Sequence, residues 1–293
     1  ALLETIDRGG TFSEGLGKYP SVFSPLFVSM VRSGEESGGM PGALSEIGVN
    51  LEKSYALNRK VKSALMYPAI IIAAVVIIGI LMFVYVVPTL ISTFKEIGAE
   101  LPTSTKIIVA ISDLVSNHLL LLVLGMLVLV AIGYFSFKLK RTKRVIEYLT
   151  LRAPVLGTLI KEINSARTAR TLSSLISSGV DIGRSISITK EVLQNSYYKE
   201  VLDQALVAVE RGETISSIFK SNTNLYPVMV GEMMEVGEET GKMTSMLLDI
   251  AAFYEGEVEA KTKDLSTIIE PVLMIFIGAG VGFFAVSMLQ PMY

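Results

Sequence analysis

Three stretches of the chain carry no charge over lengths unusual for a soluble helix, and the polar stretches between them repeat apolar residues at helical spacing. No charged residue stands between Lys62 and Lys95. From Asp113 to Lys138 the only group that can carry charge near neutral pH is His118, and no Asp, Glu, Lys, Arg or His follows Glu270. A helix needs roughly 20 mostly apolar residues to cross a bilayer. The pattern therefore predicts spans in the segments 67–91, 118–137 and 268–293. Each is internal and lacks a small-residue cleavage pattern, so none reads as a signal peptide.

The segment 153–267 predicts six helices. Ala166, Ala169, Leu172 and Leu175 form a helix-spaced stripe between Ile163 and Leu175. Ser178-Gly179-Val180-Asp181 stops it, with Gly179 as the C-terminal cap and Asp181 as the N-cap of a second helix over 182–193. A third covers 196–211 and a fourth 214–220, before a turn at Asn222-Thr223-Asn224. The fifth is expected to turn Val228, Met229, Met233 and Val236 inward and to end at Gly237-Glu238-Glu239-Thr240-Gly241. The sixth starts at Met243, continues through Tyr254 and heads for the membrane. Nothing alternates as a strand does, so the expected fold is an all-α membrane protein with a small helical bundle.

Shifting the chain by 203 residues lines up its beginning with its end. Arg8-Gly9 falls on Arg211-Gly212, and Gly34-Glu35-Glu36-Ser37-Gly38 on Gly237-Glu238-Glu239-Thr240-Gly241. Met40, Leu44, Ile47 and Glu52 match Met243, Leu247, Ile250 and Glu255; Pro68, Gly79 and Pro88 match Pro271, Gly282 and Pro291. One register held across polar and apolar parts is a duplication. The expected layout is a first cytoplasmic helical domain at 1–66 and a span at 67–91. An outward-facing loop at 92–117, a span at 118–137 and a basic segment at 138–152 follow. The second cytoplasmic domain is 153–267, and the last span 268–293. The second copy starts near Pro154, well ahead of the matched region, so the first bundle is expected to be represented only by its C-terminal part.

Charge orients this layout. Residues 138–152 carry six Lys/Arg against Glu147 alone, and Lys53, Arg59, Lys60 and Lys62 precede the first span. The intervening loop has only Lys95 and Lys106, offset by Glu96, Glu100 and Asp113. The positive-inside rule then puts the N-terminal side and 138–267 in the cytoplasm. The basic cluster reads as a topology anchor on anionic lipid rather than a nucleic-acid site. Pro68 and Pro271 stand where helix enters lipid, and each is expected to kink it. Twenty residues on, about 30 Å of helix, Pro88 and Pro291 mark the far side.

Candidate chemistry is sparse. With no cysteine and one histidine, neither a thiol nucleophile nor a conventional zinc site or triad can be assembled. Gly237 to Met243 has the wrong spacing for a phosphate-binding loop, and the first copy has Gly39 in place of Lys242. Glu232, Glu235, Glu238 and Glu239 recur at helical spacing, which leaves three readings: a solvated face, a surface for a basic partner, or a divalent-cation site. Glu35 and Glu36 repeat the final pair. Glu270 beside Pro271 is a carboxylate at the membrane boundary, functional or merely reaching water.

These residues carry a family resemblance. "ARTARTLSSLISSGVDIGRSISI" (166–188), "RGETISSIF" (211–219), "LYPVMVGEMMEVGEETGKMTSMLLDIAAFYEGEVE" (225–259) and "IIEPVLMIFIGAGVGFFAVSMLQPMY" (268–293) resemble the type II secretion F family. Its members are inner-membrane platform proteins of type IV pilus and type II secretion machines. The resemblance implies two cytoplasmic six-helix domains, three spans, no cofactor and no catalysis. It also implies a role coupling a cytoplasmic hexameric ATPase to pilins or pseudopilins, alongside other inner-membrane assembly proteins and in a homo-oligomer. By that resemblance Gly34, Glu35, Glu36 and Gly38, with Gly237, Glu238, Glu239 and Gly241, are the family's turns, for structure or partner contact. Pro68, Glu270 and Pro271 mark its membrane boundaries, although Tyr67 stands where the second copy has Glu270. The main rival is an oligomeric transporter or channel, which would need polar groups at mid-membrane that these spans barely offer.

Overall fold

The structure is a computed structural model that describes residues 2–97, 102–118, 124–125, 128, 140–154 and 156–290. All regular structure among them is helical. The elements are α1 (Leu2–Asp7), α2 (Phe12–Gly17), α3 (Pro25–Glu36), α4 (Met40–Leu81), a π-helical turn (Met82–Val86), α5 (Val87–Ile97) and α6 (Thr103–Asn117). Then come α7 (Lys140–Arg152), α8 (Leu156–Ser177), α9 (Ile182–Val192), α10 (Ser196–Glu210), α11 (Ile215–Ser221), α12 (Val228–Thr240) and α13 (Met243–Leu289). The chain divides into two compact units, Ala1–Val61 with Arg144–Lys261, and Lys62–Lys143 with Thr262–Tyr293.

In the first unit the helix ends follow local chemistry. Thr11 and Glu14 form a reciprocal capping box on α2, and Ser24 caps α3 with Pro25 in its first turn. The Asp181 carboxylate accepts from the Arg184 amide at 2.9 Å and starts α9. Glycines take left-handed φ in matched places, Gly9 with Gly212 and Gly38 with Gly241; Gly179 does so after α8. Offset by 203, α2, α3 and α4 begin where α11, α12 and α13 begin.

The larger core gathers Ala166, Ala169 and Leu172 of α8 with Val201 and Leu202 of α10, Met234 of α12 and Leu247, Ile250 and Val258 of α13. Tyr198, Phe219 and Tyr226 stack edge to face inside it. The first copy has a smaller core, Leu16, Leu26, Met30, Val31 and Ile47, which is closed by Leu175, Val180 and Ile188 from the second copy.

One expectation about facing is corrected. On α12, Met229 and Met233 pack against the larger core as expected, but Val228 and Val236 are about half exposed, whereas Val230, Gly231, Met234 and Gly237 are buried. The buried set is itself a helical stripe, but two of its members are glycines, which hydropathy counting passes over. Gly231 lies against the Lys220 backbone, where a Cβ would stand 2.9 Å from the amide nitrogen.

In the second unit, Val87, Ile91 and Phe94 of α5 bury against Ile108 of α6 and Met288 of α13. Thr105 donates to the Ser287 carbonyl at 2.5 Å and Ser112 to the Phe83 carbonyl at 2.6 Å. The stretch expected as a loop, 92–117, is thus helical over most of its described length, because its apolar residues find partners. Among the described residues, two helices are long and apolar enough to cross a membrane, Met40–Phe94 and Met243–Leu289. Helix continues through Pro68 and Pro271. A π-helical turn falls just before Pro88, whose missing N–H removes one helical bond, and there the Val87 amide reaches back to the Met82 carbonyl. The expected span 118–137 lies mostly outside the described residues, as does Pro291.

Candidate functional site

The matched Gly-Glu-Glu turns resolve into three roles. The first glutamate of each is an internal cap. Glu35 accepts from the Phe12 and Ser13 amides at 2.6 and 3.0 Å, and Glu238 from the Ile215 and Ser216 amides at 2.6 and 3.0 Å. Each carboxylate thereby satisfies orphan amides in the first turn of a short helix and complements its dipole. Burial pushes the Glu35 carboxyl up, but the Ser13 and Phe12 amides, the Ser13 hydroxyl and the Arg32 charge outweigh it, and Glu35 titrates below the usual carboxylate range.

Glycines give the turns their shape. A Cβ on Gly34 would meet the Ala43 Cβ at 2.6 Å, and one on Gly237 would meet the Met243 Cα at 3.0 Å. Gly38 and Gly241, at φ +70° and +67°, end the preceding helices in the left-handed region. Glu36 and Glu239 are exposed, so the second glutamate of each turn is the one available to a partner. Of the remaining acidic residues, Glu235 pairs with Lys220 and Glu232 is exposed. The four glutamates are therefore not one cluster, and among the described residues no group of three metal-ligating side chains comes together. Of the residues expected at the membrane boundary, Glu270 and Pro271 are exposed on α13 and Pro68 is buried on α4.

Sequence reasoning missed the polar interior around α8. Arg170, 8% exposed, makes two bonds of 2.9 Å to the Glu255 carboxylate. Lys261 reaches the buried Glu162. Ser174 accepts from the Asn50 amide at 2.9 Å and donates to Glu46 at 2.9 Å, while Arg167 donates to Asn58. Desolvation holds the Arg167 pKa down. These bonds tie α8 to α13 on one side and to α4 on the other. The signal was the match of Glu52 with Glu255 in the repeat, together with two arginines set among the alanines, serines and threonines of 165–174.

The family model described as type II secretion system (T2SS), protein F matches residues 1–88 and 168–291. Type IV pilus assembly protein PilC of Thermus thermophilus is 35% identical over 288 residues, 98% of this chain and 71% of that relative. The protein of the same name in Pseudomonas aeruginosa is 30% identical over 295 residues, covering 99% and 78%. Type II secretion system protein F of Aeromonas hydrophila is 31% identical over 289 residues, covering 97% and 73%.

Proposed function

This chain belongs to the type II secretion system protein F family, and from that premise we propose that it is a non-enzymatic platform in the bacterial inner membrane. In this reading it has three spans and two cytoplasmic six-helix domains. A cytoplasmic hexameric ATPase engages the domains, and the platform passes that motion to pilins or pseudopilins entering or leaving a filament. Other inner-membrane assembly proteins and further copies of the chain complete the machine, with no nucleic acid bound directly.

The observation that carries the reading is that both copies of the short-helix domain lie in one compact unit. The helix leaving each copy, α4 or α13, runs on unbroken into an apolar stretch long enough to cross a bilayer. A chain with that continuity has a route from a soluble surface to the membrane. The exposed Glu36 and Glu239 are the docking residues we propose, while Glu35 and Glu238 serve the fold. Charge reversal at the exposed pair, Glu36→Lys with Glu239→Lys, should reduce filament assembly or secretion while leaving the protein's membrane level unchanged. Full assembly by that double variant would remove these turns from the docking surface.

A further inference from the structure

A helix that meets a proline is left with one carbonyl lacking its amide, because proline has no N–H to give. The sequence sets one toward the end of each long apolar helix, Pro88 and Pro291, 203 residues apart. Ahead of Pro88 the π-helical turn fixes the register, with the Val87 amide on the Met82 carbonyl. The next bond in that register would join the residue-88 amide to the Phe83 carbonyl, and Pro88 cannot make it. Near the end of α13 the register is α-helical. There the Ser287 carbonyl would take its bond from residue 291, and a proline at 291 cannot make that one either.

Both carbonyls are nevertheless paired, and both partners come from α6. Ser112 donates to Phe83 at 2.6 Å and Thr105 to Ser287 at 2.5 Å. Thr105, Ile108 and Ser112 stand at i, i+3 and i+7, which is one stripe of the helix, and all three are buried. Ile108 joins Val87, Ile91, Phe94 and Met288 in the apolar contact beside the two hydroxyls. A buried carbonyl without a partner is costly, so each hydroxyl answers a specific need of the backbone it meets. Elsewhere the two long helices flank an apolar cleft of about 520 Å³. It is lined by Val76 and Gly79, by Ile277 and Gly280, and by Ile108 and Ile111 of α6. The long helices are therefore not in contact throughout, and α6 supplies a bridge between them.

We propose that α6 is a clamp, in which Ser112 and Thr105 replace the amides that Pro88 and Pro291 lack and join the ends of the two long helices into one body. The two hydroxyls are positioning residues, and a displacement of either long helix is passed to the other through α6. The clamp rests on hydrogen-bond geometry and stands independently of the platform reading.

Hydrogen exchange of the full chain in lipid nanodiscs tests it. Ser112→Ala should speed exchange about tenfold in residues 83–94, as expected for the loss of one buried hydrogen bond. It should also speed exchange in 283–289, where its own bond does not lie. Thr105→Val should act at both places, and Thr105→Ser, which keeps the donor, at neither. In a Pro88→Ala background the residue-88 amide satisfies Phe83, so Ser112→Ala should add less than about twofold in 83–94. Effects confined to the helix that each hydroxyl bonds would overturn the clamp. So would equal effects of Thr105→Val and Thr105→Ser, or an undiminished effect of Ser112→Ala in the Pro88→Ala background, because the side chains would then act by packing alone.

Discussion

At the scale of single residues, the two glutamates of each turn do different work although adjacent in sequence. Glu238→Ala leaves the Ile215 and Ser216 amides without their acceptor and should lower stability by about 1 to 2 kcal/mol in thermal or denaturant unfolding. Glu239→Ala, at an exposed position, should stay within about 0.5 kcal/mol in the same measurement. Equal effects would refute the division between cap and surface. Gly237→Ala should cost about 1 to 3 kcal/mol, because the new methyl meets the Met243 Cα of α13 as well as the Met246 side chain. The turn was visible in sequence as two glycines around two acids. The hydrogen-bond partners were not, since they lie 22 and 23 residues away.

Acid should act on Glu35 in a definite direction. Its folded pKa lies below the ordinary value of 4.5. The stability it contributes is therefore present above that value and is lost as the pH falls through the depressed folded pKa. Unfolding curves of wild type and Glu35→Gln should differ at neutral pH and converge at strongly acidic pH. A difference that grew on acidification would have the wrong sign for this assignment.

At the scale of elements, α8 is the least ordinary helix. Its Ala166, Ala169, Leu172 and Leu175 are core residues as their spacing predicts, yet Thr168, Arg170, Ser173 and Ser174 are buried too. Such burial is tolerable only because the polar groups find partners on α4, α13 and Tyr226. Arg170→Met would leave Glu255 mostly buried without its cation, at a cost of about 3 kcal/mol. The double variant Arg170→Met/Glu255→Met should recover most of that loss in a denaturation series. The starts of α9, α10 and α11 were legible to within about one residue, that of α9 from its Asp181 cap. The inward face of α12 was legible only at Met229 and Met233, because glycine marks close approach without adding hydropathy. The helical content of 92–117 was hidden for a related reason: its apolar residues looked like flanks of spans until their contacts with α13 were seen.

At the scale of the whole molecule, duplication explains the most. Matching caps, positive-φ glycines and helix starts recur 203 residues apart, so one local solution serves twice. What repetition could not reveal is the sharing between copies, because Leu175, Val180 and Ile188 of the second copy close the core of the first. Leu175→Ala should therefore destabilise the Ala1–Val61 helices more than α10 and α11, which hydrogen exchange would read as a local loss of protection in α2 and α3. Uniform loss would show that the two cores do not behave separately. The family resemblance was legible in the 166–188 and 225–259 blocks, and the matched family covers both copies.

The central claim is that this unit is what a cytoplasmic motor grips. It is tested most directly by placing the full chain in lipid nanodiscs and titrating the purified assembly ATPase against it, with interferometry as the readout. Saturable binding at micromolar concentration is expected, about 8 kcal/mol of binding free energy, weakened at least tenfold by Glu36→Lys with Glu239→Lys. An ATPase that fails to bind the wild-type nanodiscs, together with solute-specific flux through the same protein in liposomes, would contradict it.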